Sequence, residues 1–117
     1  MTARPVLIVD AANVVGSVPD GWWRDRKGAA ERLRDRLAVR EGGEEVILVV
    51  EGAARGVESV PGVRVESAPG SGDDLIVRLA AAHADRPCTV VTADRALRER
   101  VQAYGATCAG PRTVRPA

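Results

Sequence analysis

Short apolar runs alternate with amphipathic stretches along this chain. Val6-Leu7-Ile8-Val9 is an unbroken apolar run that ends in Asp10. A run of that length reads as a strand buried on both faces. The segment Ala11 to Gly16 leads into a loop from Ser17 to Gly21, where Pro19-Asp20-Gly21 supplies turn chemistry. From about Arg24 to Arg40, Ala29, Ala30, Leu33 and Leu37 recur at helical spacing among charged residues, and Gly42-Gly43 is the expected stop. Glu45 to Glu51 encloses a second apolar run, and Val63 to Val65 predicts a shorter third strand. After the turn Ala68 to Gly72, Asp73 opens a helix carrying Leu75, Ile76, Leu79 and Ala80 to about Ala84. Cys88 to Thr92 predicts a fourth strand, Asp94 a third main helix with Leu97 and Val101, and Ala106 to Ala109 a short fifth strand. Strands that alternate with helices predict an α/β fold: a three-layer α/β/α sandwich around a central, mostly parallel sheet of four to five strands.

Length and composition narrow this picture. The chain has 117 residues, enough for one core, and residues 1–110 are expected to form it with 111–117 a loosely attached tail. There is no Phe and aromatics make up 3%, so Val, Leu, Ile and Ala must build the interior. Net charge is +1, so attraction to nucleic acid must come from a local patch or a bound metal. Cys88 and Cys108 lie in apolar stretches without metal-ligand spacing and read as buried thiols. Residues 1–5 carry no apolar signal segment, and the longest apolar run is far too short to span a bilayer. The expectation is a soluble cytoplasmic protein with no membrane partner.

Three carboxylates occupy comparable places. Asp10 ends the first strand, Asp73 opens the helix before the fourth strand, and Asp94 follows the fourth strand. Open parallel sheets bind ligands beyond the carboxyl ends of their strands. If the first and fourth strands are neighbours, Asp10 and Asp94 face each other and Asp73 projects into the same crevice. Clustered carboxylates repel unless a cation joins them, and oxygen donors suit Mg²⁺ or Mn²⁺. No Ser or Cys nucleophile with an accompanying His is evident, which makes attack by water the economical chemistry. Each residue also has a plainer role. Asp94 suits a helix cap, and Asp73 and Asp74 suit a helix first turn. Asp10 is the hardest to explain as structure, since a carboxylate directly after a buried strand is costly without a partner.

The segments that carry these residues resemble a known family. Val9-Asp10-Ala11-Ala12-Asn13-Val14-Val15 resembles the opening motif of NYN domains, in particular the YacP-like branch of the PIN-like nuclease superfamily. Gly72-Asp73-Asp74-Leu75-Ile76 resembles the acidic helix-start motif, and Thr92-Ala93-Asp94-Arg95-Ala96-Leu97, followed by Tyr104-Gly105-Ala106, the second strand-end motif. The three motifs run in order from about residue 5 to residue 110. The resemblance implies a PIN-like fold and a metal-dependent endoribonuclease. It implies catalytic roles for Asp10, Asp73, Asp94 and Asn13, with Mg²⁺ or Mn²⁺ on the three aspartates. Glu51 is a secondary acidic candidate. Asp74 departs from the commonest pattern and reads as solvated or as a spare ligand. Ser71 and Thr92 either bond to the acidic residues or cap helices.

Arg24, Arg26, Lys27, Arg32, Arg34, Arg36 and Arg40 crowd the first long helix, interleaved with Asp25, Glu31 and Asp35, which reads as a solvated, ion-paired face. Trp22-Trp23-Arg24 can stack on an unpaired base and hold a phosphate, or can simply close an aromatic-poor core. Arg95 and Arg98 are further candidates for RNA contact. His83, the only histidine, reads as a partly exposed helix residue rather than a base. Two other functions share these features: a non-catalytic RNA-binding module with a degenerate site, and a metal-dependent nucleotide pyrophosphohydrolase or phosphatase. A small signalling or nucleotide-binding domain is disfavoured, because Asp10-Ala11-Ala12-Asn13 stands where a Gly-rich phosphate loop would follow the first strand. So small a domain offers little surface for RNA, which leaves a homodimer open.

Overall fold

A computed structural model describes residues 3–115. Five parallel strands, β1 (Val6–Asp10), β2 (Glu45–Val50), β3 (Val63–Ser67), β4 (Cys88–Val91) and β5 (Thr107–Ala109), form one sheet in the order β3-β2-β1-β4-β5. Helices α1 (Ala11–Gly16) and α2 (Arg26–Ala38) cover one face, and α3 (Gly72–Ala82) and α4 (Arg95–Gln102) the other.

The strands read as continuous apolar runs because both of their faces are buried. Side chains alternate between the two layers. Leu7, Val9, Val46, Leu48, Val50 and Val91 pack toward α1 and α2. Val6, Ile8, Ile47, Val49, Cys88 and Val90 pack toward α3 and α4. Helix α2 buries Ala29, Ala30, Leu33 and Leu37, and Asp25 caps it by accepting from the Gly28 amide at 3.0 Å.

Helix α1 was not expected. Its six residues show no helical periodicity, but Asp10 caps it and Val14 and Val15 enter the core. Helix α2 ends at Ala38, ahead of Gly42-Gly43. Gly43, at φ +76°, serves the turn into β2 instead of closing the helix. Cys88 is buried and Cys108 half-buried, and burial raises both free thiols above their ordinary pKa. Within the segment expected to be a loose tail, Val114 is buried against α1 and α2. Arg115 donates to the Val15 carbonyl and pairs with Asp20. Residues 116–117 of that segment lie outside the described residues. Among the described residues no helix is long and apolar enough to cross a membrane.

Candidate functional site

The chain leaves β1 toward β2 and β3 on one side and returns to β4 and β5 on the other. A crevice therefore opens beyond the carboxyl ends of β1 and β4, where the strand order reverses. Alternation decides what points into it. Asp10 lies two residues past Ile8, Thr92 two past Val90, and Glu51 two past Val49, so all three continue the rows that face α3 and α4. The N-terminus of α3 brings Asp73 to the same place.

Asp10 is 6% exposed. Its Oδ2 accepts from Thr92 Oγ1 at 2.9 Å and its Oδ1 from the Asn13 amide at 3.4 Å. Among the described residues no cationic side chain pairs with it. Burial pushes its carboxyl up to about 6. The bonds from Thr92 and Asn13 oppose that rise, and the charges of Asp73 and Glu51 add to it. Asp73 is half-buried and also raised, first by burial, then by the charges of Asp94 and Glu51, with Arg100 opposing. Four carboxylates thus share one field.

Each is held by its local structure. Glu51 Oε2 accepts from the Gly72 amide at 2.9 Å. A Cβ at Gly72 would stand 3.2 Å from that carboxyl group, so a side chain here would require the Glu51 carboxylate to shift by a few tenths of an ångström. Ser71 caps α3 by accepting from the Asp73 amide at 3.1 Å. Asp94 caps α4, its Oδ1 accepting from the Leu97 amide at 3.0 Å. Its own amide donates to Thr92 Oγ1 at 3.2 Å. Asn13 Oδ1 accepts from the Ala93 amide at 2.9 Å, bracing α1 against the β4–α4 turn. Asn13 is expected to position water or phosphate, but its oxygen is engaged; only the NH₂ group remains for that. Asp74 is exposed and pairs with Arg100 at 3.0 Å, the solvated arrangement.

Thr92 is fully buried and joins the two strand ends, donating to Asp10 and accepting from Asp94. Thr92→Val keeps the shape and removes both bonds. We expect it to cost about 1–3 kcal/mol at neutral pH, read from denaturant unfolding, because a buried carboxylate loses its donor. Stability equal to the parent protein would make the Thr92 bridge unimportant.

Whether these residues fit a divalent cation can be tested on the donor set. Among the described residues no three His, Cys, Asp or Glu side chains stand close enough to hold an ion between them. The side chains of Glu51 and Asp94 already accept backbone N–H groups. A closed protein cage is absent. The set fits an ion held by one or two carboxylates and completed by water and phosphate, as Mg²⁺ commonly is.

The basic and aromatic candidates divide. Trp22 is half-buried against the α1–α2 core, whereas Trp23 is 51% exposed; their rings meet edge-on at 5.8 Å. Arg24 lies over Trp23 at 5.9 Å. Arg95 is exposed, and Arg98 is half-buried, held in place by its Nε donating to the Thr92 carbonyl at 2.8 Å. His83 closes α3, its Nδ1 2.8 Å from the Leu79 carbonyl. Two arginines not singled out as ligands, Arg26 and Arg55, line a cleft of about 560 Å³ that shares Glu51 and Ser71 with the acidic crevice. Neither carried a signal: Trp22 sits in a short turn ahead of α2, which Arg26 opens, so helical spacing does not join the two, and Arg55 lies in a Gly-bounded loop.

The architecture is the expected three-layer α/β/α sandwich, with an all-parallel five-stranded sheet. A solved structure of the same fold is Rae1 (YacP) from Bacillus subtilis, crystallised in a mutant form. The two superpose with a TM-score of 0.67 at 21% identity, over 95% of this chain and 72% of that one. At that identity the likeness shows the fold alone. No family model matches the chain, and no curated protein matches it.

Proposed function

We propose that this chain is a ribonuclease of the NYN type, hydrolysing RNA phosphodiester bonds with a divalent cation, Mg²⁺ or Mn²⁺, held by Asp10 and Asp73 and supported by Asp94 and Glu51. The observation that carries this reading is Asp10 itself: a buried carboxylate at the switch point, near two other acids and without a basic partner. Such a group is costly unless something positive visits it. A bound divalent ion would activate water and offset charge on the phosphate and leaving oxygen. The chain's residues do the rest. Thr92 fixes the Asp10 carboxylate, Asn13 anchors the β4–α4 turn, and Ser71 and Asp94 hold the helix ends that border the crevice. The YacP-like fold and the three motifs support RNA as substrate.

One observation favours the second reading, an RNA-binding module that does not cleave: the carboxylates are coupled but do not converge into a ready ligand set. Incubation with labelled RNA, labelled DNA and nucleoside triphosphates, in Mn²⁺ and in EDTA, separates the readings. We expect RNA cleavage in Mn²⁺ and none in EDTA. RNA retention without cleavage supports the module, triphosphate hydrolysis alone makes it a nucleotide hydrolase, and cleavage undiminished in excess EDTA removes the metal.

A further inference from the structure

The cleft beside the acidic crevice differs from it in chemistry. Its walls are apolar where Ala11, Val15, Ala30 and Ala54 meet, and its charged lining is Arg26, Arg55 and, at the border with the crevice, Glu51, whose carboxylate accepts from the Gly72 amide. Arg26 lies over the Trp22 ring at 5.3 Å, so a cation–π contact and the ring's anchorage in the core limit where its guanidinium can go. Arg55 is positioned from below: its Nε donates to the Gly52 carbonyl at 3.2 Å and its Nη1 to the Pro69 carbonyl at 3.3 Å. Neither arginine forms an ion pair among the described residues. Other arginines, such as Arg32 and Arg36, also lack an ion pair among the described residues; Arg26 and Arg55 differ in that both line this cleft. Two restrained cations without counter-ions face one concavity, and anchored guanidinium groups are well matched to phosphate.

Size and position identify the occupant. About 560 Å³ lies within the range of small-molecule sites and accepts one nucleotide, not a duplex. An apolar wall suits a base and ribose, and the arginines suit the phosphate they carry. Glu51 and Ser71 line the cleft, Glu51 also acts on the Asp10 carboxyl and Ser71 caps α3 at Asp73, so the cleft adjoins the acidic crevice.

We propose that this cleft is a nucleotide subsite: it takes one unpaired nucleotide of the RNA strand next to the phosphate that is cleaved, with Arg26 and Arg55 on its phosphate and the alanine-lined wall against its sugar and base. The inference rests on the ribonuclease reading and adds a specificity site to it. It requires a single-stranded stretch at the point of cleavage, since a paired base cannot enter a cleft of this kind.

The test is binding of a short fluorescent oligouridylate in Ca²⁺, measured by anisotropy at several salt concentrations, for the parent chain and for Arg26→Ala, Arg55→Ala, Arg26→Lys, Arg55→Lys and Arg78→Ala. Arg78 is exposed on α3, away from the cleft lining, and controls for the loss of one charge. We expect each cleft alanine variant to weaken binding about tenfold and to flatten the salt dependence by about 0.7 per lost contact. Each lysine variant should recover part of the affinity, which also guards against a folding defect in the alanine variants. Arg78→Ala should stay within about twofold of the parent. If the cleft variants bind like Arg78→Ala, the subsite is wrong, and cleavage by the parent chain in Mn²⁺ then leaves the ribonuclease reading standing. If the cleft variants lose binding but the parent never cleaves, the nuclease reading falls and takes the cleavage subsite with it, leaving the cleft as a site for single-stranded RNA only. A parent chain that neither binds nor cleaves overturns both.

Discussion

Asp10→Asn is expected to lower the rate of RNA cleavage by about a hundredfold or more, equivalent to about 2.7 kcal/mol of transition-state stabilisation. The substitution keeps the shape of the side chain and its capacity to accept from Thr92 Oγ1, and gives up only the long 3.4 Å bond from the Asn13 amide, which an Asn NH₂ group cannot accept. What it removes is negative charge at the best-buried carboxylate of the site. His83→Ala is the control, because His83 closes α3 and bonds within its own helix turn. Its rate should stay within a few-fold of the parent. Turnover on labelled RNA in Mn²⁺, with circular dichroism to show that both variants fold, decides the matter. Lost activity in His83→Ala with full activity in Asp10→Asn would mean that the site is misplaced.

The same substitution should have the largest effect on stability, and its sign depends on pH. Folding raises the Asp10 carboxyl from an ordinary 3.8 to about 6, so the folded state holds the proton more tightly than the unfolded chain does. Stability from this group is fully present below about pH 4, declines as pH rises through the interval, and is lost above about pH 6. At neutral pH the ionised, buried group costs about 3 kcal/mol by the energy of a pKa shift. In EDTA, Asp10→Asn should therefore be more stable than the parent at pH 7.5, with the advantage shrinking to near zero by pH 4. Asp73 is shifted in the same direction. Asp20 and Glu45, lowered by Arg115 and Arg86, add stability that is lost on acidification. All three are common to both proteins, so the difference between their unfolding curves reports Asp10 together with its repulsion by Asp73 and Glu51. A difference that does not change between pH 4 and pH 7.5 would show that Asp10 is not buried as a charge.

The fold was open to reading because its strands are short apolar runs and its longer helices show spaced apolar residues. The runs ending at Asp10, Val50 and Val91 needed nothing beyond local pattern. Helix α1 was hidden because six residues are too few to display a period and because a side chain at the end of a strand starts it. The end of α2 was misplaced because Gly42-Gly43 resembles a stop signal, while the helix had already closed at Ala38. Asp10 and Asp73 were visible as candidates, but their meeting depends on β4 lying beside β1, a pairing of residues far apart in the chain. The engagement of Asn13 with Ala93 was not legible for the same reason, and that of Arg98 with the Thr92 carbonyl because it depends on how the β4–α4 turn bends. Local pattern shows which residues stand at strand ends; only the packed sheet shows which backbone groups they must satisfy.

The central claim is that Asp10, at the carboxyl end of β1, and Asp73, at the start of α3, hold a divalent cation. Thermal unfolding of the parent chain and of Asp10→Asn, each in EDTA and in 10 mM Mg²⁺ or Mn²⁺ at pH 7.5, tests it without relying on any substrate. Binding to the folded state alone must raise stability by mass action, and a few degrees is the expected shift in Tm for a domain of this size. The account requires that shift in the parent chain and little or none in Asp10→Asn. Equal shifts in the two proteins, or none in either, would contradict it.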